Sequence, residues 1–166
     1  NKGDLDTALD YYGRSLAIAE ELGDKGGIGL SHNNIGNVHA DKGDYEKALD
    51  YYGRSLAIAE ELGDKRGMGN SLNNIGLVYW NKGDYDKALD YFDRSLAIDE
   101  EIGDKRGKGI SLYNIGLVYD EKGDYDKALD YYERSLKIRE EIGDKHGMGV
   151  GLNNIGNVYT SKGHSD

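Results

Sequence analysis

Apolar residues between positions 84 and 102 recur mostly three, four or seven positions apart, with polar residues between them. They are Tyr85, Ala88, Leu89, Phe92, Leu96 and Ile102. This spacing puts the apolar side chains on one face of an α-helix, because that helix has about 3.6 residues per turn. Asp84 is a suitable N-cap, and Gly103 follows the last apolar residue, where a left-handed residue commonly ends a helix. The pattern therefore predicts a helix over residues 84–102.

A second amphipathic pattern follows at once and predicts a helix over residues 105–121, with Asp104 as its N-cap. Its apolar positions are Ile110, Leu112, Ile115, Val118 and Tyr119. Gly116 lies in the middle, where it costs about 1 kcal/mol of helix propensity relative to alanine. Because the same glycine recurs at Gly36, Gly76 and Gly156, we expect a shared need there, namely the close approach of a neighbouring helix backbone.

The two patterns form a 40-residue unit that occurs four times, at residues 1–40, 41–80, 81–120 and 121–160, with a stub at residues 161–166. A fixed period of this length predicts stacked helical units, each packed on its neighbours, instead of one globular core. The linkers are so short that consecutive helices must run antiparallel. We expect one array of eight helices over residues 1–166, which starts on a second helix (4–22) and ends on a first helix (145–161).

The repeated residues resemble the tetratricopeptide repeat. The matching residues are Leu72, Ile75, Gly76, Tyr79, Gly83, Tyr85, Ala88, Leu89, Phe92, Ser95 and Ile98. Two features depart from the family pattern: its usual proline is absent, and the period is 40 instead of 34. This longer form is similar to the LGN/Pins class of spindle-orientation scaffolds and to bacterial signalling arrays. The resemblance implies an all-α, right-handed superhelix (an α-solenoid) of antiparallel helix pairs.

The resemblance also implies a concave groove, lined by the first helix of each pair, that binds an extended or short helical peptide. The candidate groove residues are Asn33, Asn34, Asn37, Asn70, Asn73, Asn74, Leu77, Trp80, Tyr113, Asn114, Leu117, Asn153, Asn154 and Asn157. Asparagine is a mediocre helix former, yet it recurs here in mid-helix. Its carboxamide both donates and accepts hydrogen bonds, so it suits a peptide backbone. In LGN-like scaffolds, asparagines at matching positions have this role.

Each of these assignments has a structural alternative. The asparagines could brace the turns between helices internally instead of facing a ligand. Trp80 and Tyr113 are candidate anchors for the peptide, since aromatic residues often dominate such contacts. The alternative for Trp80 is a lone surface aromatic between copies. The acidic residues Asp41, Asp120 and Glu121 near the groove edge favour a basic or neutral ligand over an acidic one.

Other classes of site find no support in the sequence. The positions at which some tetratricopeptide proteins clamp a peptide carboxylate carry no paired basic residues, and the glycine-rich segment 63–71 lacks the spacing of a phosphate loop. His32 and His39 replace apolar or tyrosine residues of other copies, so we expect both in the packed interior. With no cysteine and no histidine pair at ligand spacing, we predict no metal, no cofactor and no catalytic residue. The aspartates and glutamates are interpreted as solvated surface and helix caps.

Composition restricts the partners and the location. The net charge of -10 disfavours a general attraction to nucleic acids or anionic membranes. No apolar run approaches the roughly 20 residues that span a bilayer. The absence of cysteine is compatible with a reducing compartment, and a cytoplasmic location is expected.

Three functions remain open from the sequence. The leading one is a non-enzymatic protein-interaction scaffold with a protein or peptide partner. The second is a designed or excised repeat array without a natural ligand, whose end helices carry complementary faces and associate head-to-tail between molecules. The third is the sensor or regulatory arm of a larger signalling protein.

Overall fold

A computed structural model describes residues 2–163 and contains eight α-helices over that range. They are α1 (Lys2–Leu22), α2 (Lys25–Asp41), α3 (Tyr45–Leu62), α4 (Lys65–Asn81), α5 (Tyr85–Ile102), α6 (Lys105–Glu121), α7 (Tyr125–Glu141) and α8 (Lys145–Gly163). No strand occurs in this part of the chain. The all-α prediction and the number of helices are confirmed. α1 begins two residues earlier than predicted, and α8 ends two residues later than predicted, within the stub, of which residues 164–166 lie outside the description.

The helix boundaries come from local signals that the sequence carries. The backbone N–H of Gly107 donates to Oδ1 of Asp104 at 3.0 Å, which satisfies an otherwise free amide in the first turn of α6. Gly103 has a φ of 69°, a left-handed conformation that disfavours residues with a Cβ, and it ends α5. Asp104 N then donates to the Asp99 carbonyl at 2.8 Å. A glycine at this position and an aspartate after it therefore separate α5 from α6 by two residues.

The helices form two layers. Each helix packs most extensively against its neighbours along the chain, and the first helix of one pair also contacts the first helix of the next. α4 touches both α2 and α6 in this way, whereas no second helix of the described chain makes a contact of that extent with another second helix. Because the first helices approach one another more closely, α2, α4 and α6 lie on the inner side of the curved array.

The core of the described chain is divided into three apolar clusters, which lie between α3 and α4, between α5 and α6, and between α7 and α8. In the middle cluster, Ala88 and Phe92 of α5 pack against Ile115 and Val118 of α6, and all four are fully buried. Equivalent residues form the clusters on either side. Repeat arrays are stabilised by such interfaces between neighbours, and no single centre holds them together.

The recurring mid-helix glycine has a different partner from the one that the sequence predicted. A Cβ built on Gly116 would lie 2.7 Å from Cδ1 of Tyr132, so the glycine makes room for an aromatic ring of α7. The expectation that a helix backbone approaches this glycine is therefore wrong. Where α6 packs against α7, the ring of Tyr132 fills the space that a side chain at Gly116 would otherwise occupy.

Candidate functional site

Two recesses open on the inner surface, and each lies between a first helix and the helix pair beside it. The first recess, of about 210 Å³, lies between α2, α3 and α4 and is lined by Leu30 and by the predicted residues Asn33 and Asn70. Ile58 and Ala59 of α3 line it as well, and so do the charged residues Asp64 and Arg66. More of its surface is apolar than polar.

The second recess, of about 250 Å³, lies one repeat further along, between α4, α5 and α6, and is more polar. Four predicted groove residues meet there: Asn33, Asn70, Asn73 and Asn74. Asp99 of α5 also lines it. Side chains from three consecutive first helices thus converge on one space. The periodicity of the sequence predicts that these helices lie side by side, but it does not predict where this space is.

The mid-helix asparagines connect successive first helices to one another. Nδ2 of Asn74 donates to Oδ1 of Asn33 at 3.0 Å, and Nδ2 of Asn114 donates to Oδ1 of Asn73 at 2.8 Å. In the last copy, Nδ2 of Asn154 donates to the hydroxyl of Tyr113 at 2.8 Å. The internal role is therefore a ladder along the first helices and not a brace of the turns. A carboxamide has two donor hydrogens and an acceptor oxygen, so each asparagine keeps capacity for a further partner.

The remaining predicted asparagines differ in exposure. Asn37 is exposed, and its Oδ1 accepts a hydrogen bond from the hydroxyl of Tyr52 at 2.7 Å. Asn34 is half-buried, whereas Asn153 and Asn157 are exposed on α8. Neither recess includes these last three residues.

The predicted apolar and aromatic groove residues pack partly into the core. Leu77 and Trp80 contact the middle apolar cluster, and Tyr113 and Leu117 contact the next one. The indole Nε1 of Trp80 is buried and has no hydrogen-bond partner among the described residues. These four side chains thus serve the repeat interfaces while part of each remains accessible from the inner surface.

Asp99 is the residue that sequence reasoning missed. It was grouped with the solvated acidic residues, but only 7% of it is exposed, so that interpretation is wrong for this position. Ser111 Oγ donates to its Oδ2 at 3.0 Å. Burial raises the pKa of Asp99 to about 6; the Ser111 hydrogen bond and the positive charge of Arg66 oppose this rise, and the negative charge of Asp104 adds to it.

A signal for Asp99 was present in the repeat itself. The equivalent residues in the four copies are Ala19, Ala59, Asp99 and Arg139, so a buried small-residue position changes to a charged one in copies three and four. A charge that replaces alanine within an otherwise similar repeat indicates that the side chain at this position has a different role or a different contact in copies three and four.

The histidines behave as expected. His32 and His39 are each 8% exposed, which confirms their interior position. Burial is the main cause that lowers the pKa of His32, and the nearby positive charge of Arg54 adds to it. Among residues 2–163, no group of three or more histidine, aspartate or glutamate side chains is arranged to hold a metal ion.

A comparison with known protein families identifies the family to which the chain belongs. A sequence model described as "Tetratricopeptide repeat" matches residues 1–61 and 67–141. The chain belongs to the tetratricopeptide repeat family. No match was found among curated proteins. The predicted family and the superhelical fold of helix pairs are thus confirmed.

Several solved structures share this tetratricopeptide repeat fold. BtubC (BKLC) from P. vanneervenii has a TM-score of 0.83 and 21% identity, with 95% of this chain and 66% of that chain covered. Aspartyl phosphate phosphatase F from Bacillus subtilis has a TM-score of 0.82 and 23% identity, with 87% and 38% covered. A Rap protein complexed with Competence and Sporulation Factor has a TM-score of 0.78 and 21% identity, with 93% and 49% covered.

These similarities show a shared fold. The chain spans 66% or less of the length of each of these three proteins. Between residues 2 and 163, no helix of this tetratricopeptide array combines the length and the apolar content that crossing a membrane requires.

Proposed function

We propose that the chain is a non-enzymatic interaction module that binds an extended or short helical peptide on its inner surface. The observation that carries this proposal is the convergence of Asn33, Asn70, Asn73 and Asn74 on the second recess. A peptide backbone presents N–H donors and C=O acceptors, and the carboxamides offer both matching functions. The apolar first recess beside it accepts an aliphatic or aromatic side chain of the same peptide.

Two further observations support a peptide partner. Tetratricopeptide repeats are in general non-catalytic scaffolds for protein–protein interaction, and one similar structure is a Rap protein complexed with Competence and Sporulation Factor. The serines beside the recesses are engaged in packing: Ser71 Oγ donates to Ser55 Oγ at 3.2 Å in the buried contact between α4 and α3. Such paired, buried hydroxyls stabilise the contact between the two helices.

The test is a selection of peptides on the 166-residue chain from a displayed library, followed by calorimetric titration of the selected peptide. Asn70→Ala removes an exposed carboxamide from both recesses. We expect it to weaken binding about 5- to 20-fold, the loss of one or two hydrogen bonds. The matched control is Asn81→Ala, an exposed asparagine at the end of α4 outside both recesses. Equal affinities for Asn70→Ala and the parent chain would show that the peptide binds elsewhere.

A second candidate function, head-to-tail association of copies, is favoured by the faces of the end helices. Leu152 of α8 is 54% exposed, whereas its equivalents Leu72 and Leu112 are at most 2% exposed under the helix that follows them. No side chain lies within 4 Å of a Cβ built on Gly156, although the equivalent Gly116 receives Tyr132. Tyr12 of α1 is the residue type and position that would fill that gap from a second copy.

A further inference from the structure

Asp99 gives the second recess a buried carboxylate, whereas Asp64, the carboxylate that lines the first recess, is exposed. At the equivalent place in the first recess stands Ala59, and most of the remaining positions that line the two recesses are equivalent. In the second recess a carboxylate replaces that methyl group. The carboxylate fills the space beside Gly107, since a Cβ on that glycine would lie 2.4 Å from Asp99 Oδ1.

Within residues 2–163, the Asp99 carboxylate has one hydrogen-bond donor and no ion-pair partner. Ser111 occupies Oδ2 at 3.0 Å, while no described residue donates a hydrogen bond to Oδ1. The nearest guanidinium that influences it, Arg66, forms its ion pair with Asp104 instead, at 3.4 Å. Burying a carboxylate without a positive partner costs free energy, so this arrangement is stable only where folding or a ligand compensates for it.

The next copy shows the opposite arrangement. Arg139 stands at the position of Asp99, and its guanidinium is already occupied within the chain. Nη1 donates to Oδ2 of Asp144 at 2.9 Å, and Nε donates to Oγ of Ser135 at 3.2 Å. The side chain of Arg139 is only 12% exposed. Among the described residues, the buried charge of Arg139 therefore has an ion-pair partner, whereas the buried charge of Asp99 has none.

We propose that the second recess binds a cationic side chain, lysine or arginine, of the peptide partner, with Asp99 as its counter-ion and Asn70, Asn73 and Asn74 around it. This inference rests on the proposed peptide-binding function and specifies one side chain of the ligand. The recess, at about 250 Å³, has room for several water molecules, which a guanidinium or an ammonium group replaces. A cation there forms a charge pair with the Asp99 carboxylate, and the free energy of that pair offsets the free-energy cost of burying the carboxylate.

The test uses two capped pentapeptides that differ in charge alone, acetyl-Ala-Ala-Arg-Ala-Ala-amide and the same peptide with citrulline in place of arginine. Citrulline keeps the shape and most of the hydrogen bonds of arginine and removes its charge. Nuclear magnetic resonance follows the side-chain amide signals of Asn70, Asn73 and Asn74 during titration of the whole chain at pH 7.5. We expect the arginine peptide to shift these signals at a concentration at least about 10-fold lower than the concentration that the citrulline peptide needs.

The control variants come from the repeat itself. Asp99→Ala gives copy three the residue that copy two has at Ala59, so the fold tolerates alanine there. We expect it to remove the preference for arginine over citrulline. Asp99→Asn removes the charge while it keeps the size and an acceptor for Ser111, and we expect the same loss. Ala59→Asp should create a second cation-preferring site, seen as new shifts of the backbone amide of Leu30, which lines the first recess and not the second.

The outcomes separate this inference from the function on which it rests. If both peptides shift the asparagine signals equally and Asp99→Ala changes nothing, the inner surface binds peptides and the cation site is wrong. If neither peptide shifts any signal of the two recesses, both the cation site and the proposed groove are overturned. A preference for arginine that survives in Asp99→Ala and in Asp99→Asn also overturns the role of Asp99.

Discussion

Phe92 of α5 lies against Gly76 of α4 so closely that a Cβ on the glycine would be 2.6 Å from the Cε1 atom of the ring. The same relationship recurs one repeat earlier, between Tyr52 and Gly36. The glycine weakens its own helix, and the ring that it admits fills the core of the repeat interface. Helix propensity thus disfavours glycine at this position, whereas packing against the ring requires it, and packing is the stronger effect.

Gly76→Ala tests this relationship. The added methyl group must push the Phe92 ring or the helix aside, so we expect a loss of about 1–3 kcal/mol in the free energy of unfolding. Gly156→Ala is the matched control because nothing lies within 4 Å of its Cβ position. There, better helix propensity should stabilise the chain by up to about 1 kcal/mol. Urea unfolding followed by circular dichroism measures both, and equal effects would contradict the role of the ring.

Asp99→Asn should make stability less dependent on pH. The pKa of Asp99 is raised to about 6 in the folded chain and is near 3.8 when unfolded, so folding favours the protonated form. The contribution of this group is fully present below pH 3.8 and is lost as the pH rises through 6. Relative to the parent chain, Asp99→Asn should therefore gain up to about 3 kcal/mol at pH 7.5 and little at pH 4.

The measurement is thermal or urea unfolding of the parent chain and the variant across pH 4–8. Glu60→Gln, on the exposed face of α3, removes one negative charge without removing a buried group and should change stability by less than about 0.5 kcal/mol. If the difference in unfolding free energy between Asp99→Asn and the parent chain stays constant from pH 4 to pH 8, burial of the Asp99 charge does not destabilise the folded chain.

Asn114→Ala should destabilise the chain in the absence of any ligand. Asn114 is 5% exposed, and its hydrogen bond to Asn73 joins α6 to α4. Its removal should cost about 1–2 kcal/mol, because the half-buried Asn73 keeps partial access to water. Asn153→Ala, at an exposed position of α8, is the control and should cost less than about 0.5 kcal/mol. If the two variants unfold alike, the ladder adds nothing to stability.

Head-to-tail association should make the mass depend on concentration. Light scattering after size-exclusion chromatography is expected to give 18.3 kDa in dilute solution and larger values as the concentration rises. Gly156→Gln places a bulky polar side chain in the gap on α8 without a clash inside the chain, so it should hold the mass at that of the monomer. A parent chain whose mass is constant over the whole range would eliminate this second function.

The fold was predictable because its signals are local. Gly103 ends α5 and Asp104 begins α6 through groups at most a few residues away, so the sequence alone places the boundary between these helices. The asparagine ladder was not predictable in this way. Asn74 and Asn33 are 41 residues apart, and their contact depends on how far each repeat rotates relative to the last. That rotation is set by packing between helices, which periodicity does not specify.

The sequence by itself determined the 40-residue unit and the eight helices, because apolar spacing and capping residues act over one or two helical turns. Only the tertiary structure decided that Gly76 admits a ring and that Asp99 is buried in a polar recess. The burial of a side chain depends on neighbouring helices, and identical spacing gives no measure of it. The change from Ala59 to Asp99 keeps the helix intact and alters the chemistry of the recess, so its meaning appears only when α4, α5 and α6 are assembled.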